Sequence, residues 1–177
     1  RSPDKLPADL RAHESLEVVR GDFSDSSIIQ GAMQGADFVV CTGGNAIASK
    51  EHKLMLGLTQ DIVAGMRAHG VRRLVYQAGA FSPSPGTPNP LSVRFLRATV
   101  GRAMGITGML ADNDAVMEFL ASEASDLDWT VTRPGLLKEG PSQGELRVAK
   151  SPRGTTHFVD LAAATLRLVQ TSEQLHA

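Results

Sequence analysis

The stretch "ADFVVCTGG", residues 36–44, runs from Phe38 through Val39, Val40 and Cys41 straight into the pair Gly43-Gly44. Its apolar positions are continuous rather than alternating, which predicts a strand buried on both faces, as in a parallel sheet. Working outward, the same pattern recurs in "VRRLVYQAG" (71–79) and in "LDWTVTRPG" (127–135), which Pro134 halts. A shorter version, "LEVVRGD" (16–22), packs Val18 and Val19 ahead of Gly21 and predicts a further buried strand.

Between these runs the spacing turns helical. In "SDSSIIQGAMQG" (24–35), Ser24 or Asp25 is placed to cap a helix, and Ile28, Ile29, Ala32 and Met33 share a face before Gly35. From Lys53 to His69, Leu54, Leu58, Ile62 and Met66 line one side, and Gly70 closes the helix. "NDAVMEFLASEAS" (113–125) repeats the pattern with Val116, Met117 and Leu120. "TTHFVDLAAATLRLV" (155–169) reads as a short extended piece and a helix capped by Asp160. Alternating strands and helices predict an α/β fold, a doubly wound parallel sheet with helices on both faces in a single domain.

Residues 81–110 break this rhythm as a long insertion. Pro83, Pro85, Pro88 and Pro90 forbid regular structure in its first part, and Leu96, Val100 and Met104 mark one face of a short helix ended by Gly105. Its expected role is a substrate lid or, equally, a surface excursion or dimer contact. Arg94, Arg97 and Arg102 make it basic, a pattern read first as a solvated helix face.

Composition narrows the function classes. With 18 basic and 19 acidic residues the formal charge is -1, which supplies no overall field for nucleic acid or anionic lipid, so neither is an expected partner. Cys41 is the one cysteine and reads as a small buried hydrophobe; the five histidines show no metal-ligand spacing. No apolar stretch has the ~20 residues of a membrane span, and no signal peptide is recognised, so the expected location is the cytoplasm. The opening "RSPDKLP" reads like the exit of a strand into a loop, with the expectation that an earlier unit precedes Arg1.

In a parallel sheet, ligands bind beyond the carboxyl ends of the strands. Those ends are Gly21-Asp22, Thr42-Gly43-Gly44, Gln77-Ala78-Gly79 and Arg133-Pro134-Gly135. Glycine there admits a ligand close to the backbone, and a carboxylate accepts from an adenine amino group or a sugar hydroxyl.

In this order, "VRGDFSD", "GADFVVCTGG", "MRAHGVRRLVYQ", "LDWTVTRPG" and "HFVDLAAATL" resemble the atypical short-chain dehydrogenase/reductase superfamily, in its NAD(P)H-binding group with NmrA-like proteins and biliverdin/flavin reductases. The resemblance covers essentially the whole chain and implies a Rossmann-like, three-layer fold. It implies that Asp22 and Phe23 lie beside adenine, that Thr42, Gly43 and Gly44 pass over the adenosine and diphosphate, and that Pro134 and Gly135 border the nicotinamide. Gln77, Ala78 and Gly79 complete the implied cofactor rim. Arg1 and Ser2 match the end of the family's second strand, where an arginine is similar to those that clamp a ribose 2'-phosphate; this favours NADP over NAD.

Two departures accompany the likeness. Family members begin with a strand and a GxxGxxG turn that holds the pyrophosphate, and this chain starts after that unit. They also place a serine or threonine after the strand that here ends in Gly79, and a Tyr-x-x-x-Lys pair on the next helix, where this chain aligns Met109 and Asn113. Met109 has no proton to give. Asp112 and Asp114 flank Asn113 and read first as favourable charges in a first helical turn. The implied activity is therefore hydride transfer from NADPH to a conjugated acceptor such as a flavin or quinone, which needs little proton donation from the protein. The alternative is a catalytically inactive NADP(H) sensor of NmrA type that acts through a protein partner. The expected partner is thus a small-molecule substrate or such a protein, with a homodimer also open.

Overall fold

The computed structural model describes residues 3–44, 53–147, 154–171 and 175. After a 3-10 turn at Pro3–Lys5 come α1 (Ala8–Arg11), α2 (Ser26–Gly31), β1 (Phe38–Cys41), α3 (Leu54–His69) and β2 (Arg73–Gln77). Then follow α4 (Leu91–Met104), α5 (Thr107–Glu123), β3 (Asp128–Thr132), β4 (Leu136–Lys138), β5 (Thr155–His157) and α6 (Phe158–Gln170).

The predicted parallel sheet is present, in the order β1-β2-β3. Its register aligns Val39, Leu74 and Trp129, and two residues on Cys41, Tyr76 and Val131. These six side chains stand on one face and are all buried. They meet Leu58, Ile62 and Met66 of α3 and Val116, Met117 and Leu120 of α5 in one continuous core. The opposite face carries Val75 and Arg73, and α6 covers part of it. Arg73 ties the layers together: its guanidinium donates to the Asp128 carbonyl and the Thr130 hydroxyl at 2.9 Å, and its Nε to the Leu168 carbonyl at 3.0 Å. Burial lowers the pKa of this guanidinium. Among the described residues no helix is long and apolar enough to cross a membrane.

Local signals explain the helix ends. Asp25 caps α2, accepting from the Ser27 and Ile28 amides at 3.2 and 3.3 Å. Gly70 ends α3 in the left-handed conformation at φ 72°, a position that favours glycine. Gly65 lets α2 and α3 approach: a Cβ there would lie 2.8 Å from the Gln30 Cα.

Five expectations are corrected. Strand β1 is buried on one face and not on both: Phe38 and Val40, opposite Val39 and Cys41, are 43% and 37% exposed. Residues 16–22 are not a strand; Val18 and Val19 are 41% and 55% exposed, because among the described residues no neighbouring strand pairs with this run. The insertion helix is longer than expected and turned the other way: α4 starts directly after Pro90 and directs Val93, Arg97, Val100 and Gly101 inward, while Leu96 and Met104 are exposed. Helix α5 begins at Thr107, so Asp112 and Asp114 lie beyond its first turn. Asp160 does not cap α6, whose cap position is His157; from the first turn it accepts from the Ser142 hydroxyl at 2.5 Å and the Gln143 amide at 3.0 Å, fastening the preceding loop. The extended piece expected before α6 is β5, which pairs in parallel with β4 as a second small sheet.

Candidate functional site

Because β1, β2 and β3 run parallel and in register, their carboxyl ends fall on one rim. The structure brings Thr42, Gly43 and Gly44 there from β1, Gln77, Ala78 and Gly79 from β2, and Arg133, Pro134 and Gly135 from β3. Asp22 and Phe23 join them at the β1 end, since a Cβ on Gly43 would lie 3.4 Å from the Phe23 ring and 3.3 Å from Leu58 and Met55. Arg1 and Ser2 lie outside the described residues.

The rim's glycines differ in what surrounds them. A Cβ on Gly44 would meet nothing within 4 Å, and one on Gly79 only the Asn113 amide nitrogen at 3.8 Å. These two leave open space beside the backbone. Gly135 is different: a Cβ would collide with the Gly154 carbonyl, so the packing of the chain beside β4 already requires glycine there. Phe23 is 41% exposed and offers an aromatic face at the rim. Asp22 accepts from the Ser24 amide and hydroxyl at 3.1 and 2.9 Å, which fixes its carboxylate in a turn. The Ala78 amide is committed to the Thr132 carbonyl at 2.8 Å.

Near the rim the two carboxylates are held by other segments, whereas the Tyr76 and Ser82 hydroxyls are buried without a hydrogen-bond partner, Ser82 with its amide on the Gly79 carbonyl at 2.9 Å. Asp112 is buried and accepts from the Met55 amide at 2.8 Å and the Leu56 amide at 3.0 Å. It thereby closes the N-terminus of α3, whose own cap residue, Lys53, makes no side-chain bond to the helix. Asp114 accepts from the Arg97 guanidinium through both carboxylate oxygens, at 2.7 and 2.8 Å, and Arg97 is only 11% exposed. Tyr76 is fully buried, with its Oη lacking a hydrogen-bond partner; Thr59 donates its own hydroxyl proton to the Met55 carbonyl at 2.7 Å. Burial pushes the Tyr76 phenol well above its ordinary range, and likewise raises the Cys41 thiol. Asn113, which faces Gly79, has no ionisable group.

Sequence reading passed over two features of this region. Arg133, after β3, donates to the Ser82 carbonyl at 3.2 Å and so clasps the start of the insertion to the rim. A pocket of about 270 Å³ opens between the proline-rich loop, α4 and α5, lined among others by Pro83, Pro88, Arg94, Arg97 and Met117. Met117 lies one helical turn beyond Asn113. Neither feature has a local signature, since each depends on segments far apart in sequence.

A rim of open glycines, an exposed aromatic ring and strand ends in register suits an extended dinucleotide, and the profile of the NAD(P)H-binding family matches residues 1–172. The chain belongs to the NAD(P)H-binding family. Among curated proteins it is similar to the 3 beta-hydroxysteroid dehydrogenase/Delta 5-->4-isomerase of Mycobacterium tuberculosis, with 35% identity over 88 residues, covering 43% of this chain and 24% of that enzyme. The chain thus spans about a quarter of the length of the curated relatives it matches. Two solved structures share the fold. ChuY, an anaerobillin reductase from Escherichia coli O157:H7, superposes with a TM-score of 0.64 at 21% identity, over 84% of this chain and 66% of ChuY. A short-chain dehydrogenase/reductase from Veillonella parvula in complex with NADP gives 0.63 at 17% identity, over 95% of this chain and 71% of that protein. The fold of this NAD(P)H-binding chain is accordingly Rossmann-like.

Proposed function

We propose that the chain binds NADP(H) along this rim and takes part in hydride transfer to a conjugated acceptor such as a flavin or quinone. The observation that carries this reading is that, among the described residues, no carboxyl or phenol group beside Gly79 is free to give a proton; the unpartnered hydroxyl there, on Ser82, is buried and is no acid of itself. Asp112 is held by α3, Asp114 by Arg97, and Tyr76 is enclosed in the core. A simple ketone needs a proton at its oxygen as the hydride arrives, whereas a conjugated acceptor delocalises the charge and takes its proton from water.

When bound, the dinucleotide supplies the hydride. The chain's own residues provide position: Gly43 and Gly44 admit the adenosine and diphosphate, Phe23 offers a face to the adenine, and Gly79 with Pro134 borders the nicotinamide. The α3 N-terminus is not the diphosphate site, because Asp112 occupies its Met55 and Leu56 amides. The pocket beside Met117 is the entry for the acceptor. The preference for NADP over NAD rests on the likeness of Arg1 to a 2'-phosphate clamp, and a relative of the same fold binds NADP.

The same lack of a free acid favours a second reading, an NADP(H) sensor that binds without turnover. Titrating NADPH and NADP, then following NADPH absorbance with a panel of flavins and quinones, separates the two. Consumption with a conjugated acceptor and none with simple ketones supports the reductase; binding without consumption by any acceptor supports the sensor.

A further inference from the structure

Residues 62–111 contain no aspartate or glutamate and six arginines: Arg67, Arg72, Arg73, Arg94, Arg97 and Arg102. Most of these have assigned work. Arg67 pairs with Asp126, Arg72 with Asp128 and Arg97 with Asp114, and Arg73 donates to the carbonyl end of α6. Arg94 and Arg102, both on α4, form no ion pair among the described residues; Glu118 shares the pocket lining with Arg94 without an ion pair between them.

Between these two guanidinium groups α4 presents an apolar ridge to solvent. Leu91 is 78% exposed and Phe95 is 73% exposed. At helical spacing Leu91, Phe95, Ala98 and Arg102 follow one line, opposite the inward line of Val93, Arg97 and Val100. Leu96 and Met104 are exposed as well but lie on the side of Val100, away from this line. A protruding Leu-Phe pair bordered by arginines has the chemistry of a helix lying in a bilayer interface, with apolar side chains among the acyl chains and guanidinium groups at the phosphates.

We infer that α4 is a docking surface for an anionic lipid bilayer, inserted through Leu91 and Phe95 and held by Arg94 and Arg102. Charge and shape decide between occupants. Two copies joined through α4 about a twofold axis would bring like charges together, with no acidic residue on the helix to offset them. A peptide partner is recognised in a groove or at a strand edge, and this ridge is convex. The whole-chain charge of -1, which argued against lipid at the level of sequence, averages away this segregation. The inference stands apart from the hydride reading, because it needs no turnover at the rim.

The test is co-sedimentation with large vesicles of phosphatidylcholine alone and of phosphatidylcholine with phosphatidylglycerol. Binding to the anionic vesicles, at least about tenfold above the neutral ones and released by salt, is expected of two interfacial arginines. Leu91→Ser/Phe95→Ser and, separately, Arg94→Gln/Arg102→Gln each abolish that excess while the thermal midpoint holds. Phe95→Trp reports directly: Trp129, the one native tryptophan, is buried, so a blue shift on adding anionic vesicles comes from position 95 and decides the matter even where the serine pair fails to fold. Equal binding to both vesicle types, no blue shift, or a concentration-dependent dimer dissolved by Phe95→Ser overturns the inference, the last outcome assigning the ridge to a second copy.

Discussion

Asp112, buried on α5, accepts the Met55 amide of α3 at 2.8 Å, across 57 residues of sequence. A carboxylate on one core helix thus replaces the missing side-chain cap of another, and the two helices behave as one unit against the sheet. Asp112→Ala leaves two amides without acceptors and is expected to cost about 2 kcal/mol of stability, with Asp112→Asn costing roughly half as much because one acceptor remains. Urea titration measures both. A change within error of zero for the alanine variant contradicts the assignment of Asp112 as the cap of α3.

Tyr76 supplies the opposite case. Its hydroxyl lies in the core without a partner, so Tyr76→Phe removes an unsatisfied group and is expected to raise stability by about 1 kcal/mol. Any NADPH consumption is expected to stay unchanged. A loss of turnover without loss of folding would make this phenol a participant in the chemistry, contrary to its burial.

Much of the fold was legible because β1 and β2 carry apolar runs followed by glycine and β3 is followed by Pro134, although Trp129 and Val131 alternate with threonines in β3 and β1 is buried on one face only. Val18-Val19 is as apolar as Val39-Val40 yet forms no strand, since a strand also needs a partner and no run of residues announces one. The phase of α4 was misread for a related reason. Leu96, Val100 and Met104 form a plausible stripe, but the inward line contains Arg97, which is buried only because Asp114 arrives from α5. At the site, the strand-end glycines were visible one by one; the engagement of Asp112, Asp114 and Arg133 by distant segments was not.

Acid should loosen the fold through three carboxylates. Hydrogen bonds from Ser27 and Ile28 hold Asp25 below its ordinary 3.8; Arg67 does the same for Asp126, and Ser142 and Gln143 for Asp160. A carboxylate with a depressed folded pKa contributes stability that is fully present above the unfolded value and is lost as pH falls through the folded one. Thermal midpoints should therefore hold above pH 3.8 with respect to these groups and decline below it. Asp160→Asn should flatten part of that decline. An unchanged slope in this variant would show that the loop held by Asp160 contributes nothing to acid stability.

Gly65 tests the packing beneath β1. Alanine favours a helix over glycine by about 1 kcal/mol, but its Cβ would press on the Gln30 backbone, where no flexible side chain can yield. Gly65→Ala is expected to be destabilising by about 1–2 kcal/mol net, measured by urea titration. Stabilisation instead would mean that α2 and α3 separate easily, and that the α2–α3 contact supports the fold little.

The rim itself is tested by filling it. Gly44 and Gly79 have open space where a side chain would project, so Gly44→Val and Gly79→Val should leave the thermal midpoint nearly unaltered. With NADPH titrated into each protein by calorimetry, the account predicts binding to the parent chain and a loss of about tenfold or more in both variants, a loss of at least 1.4 kcal/mol. Valine variants that fold normally and bind NADPH as tightly as the parent would contradict the placement of the dinucleotide on this rim.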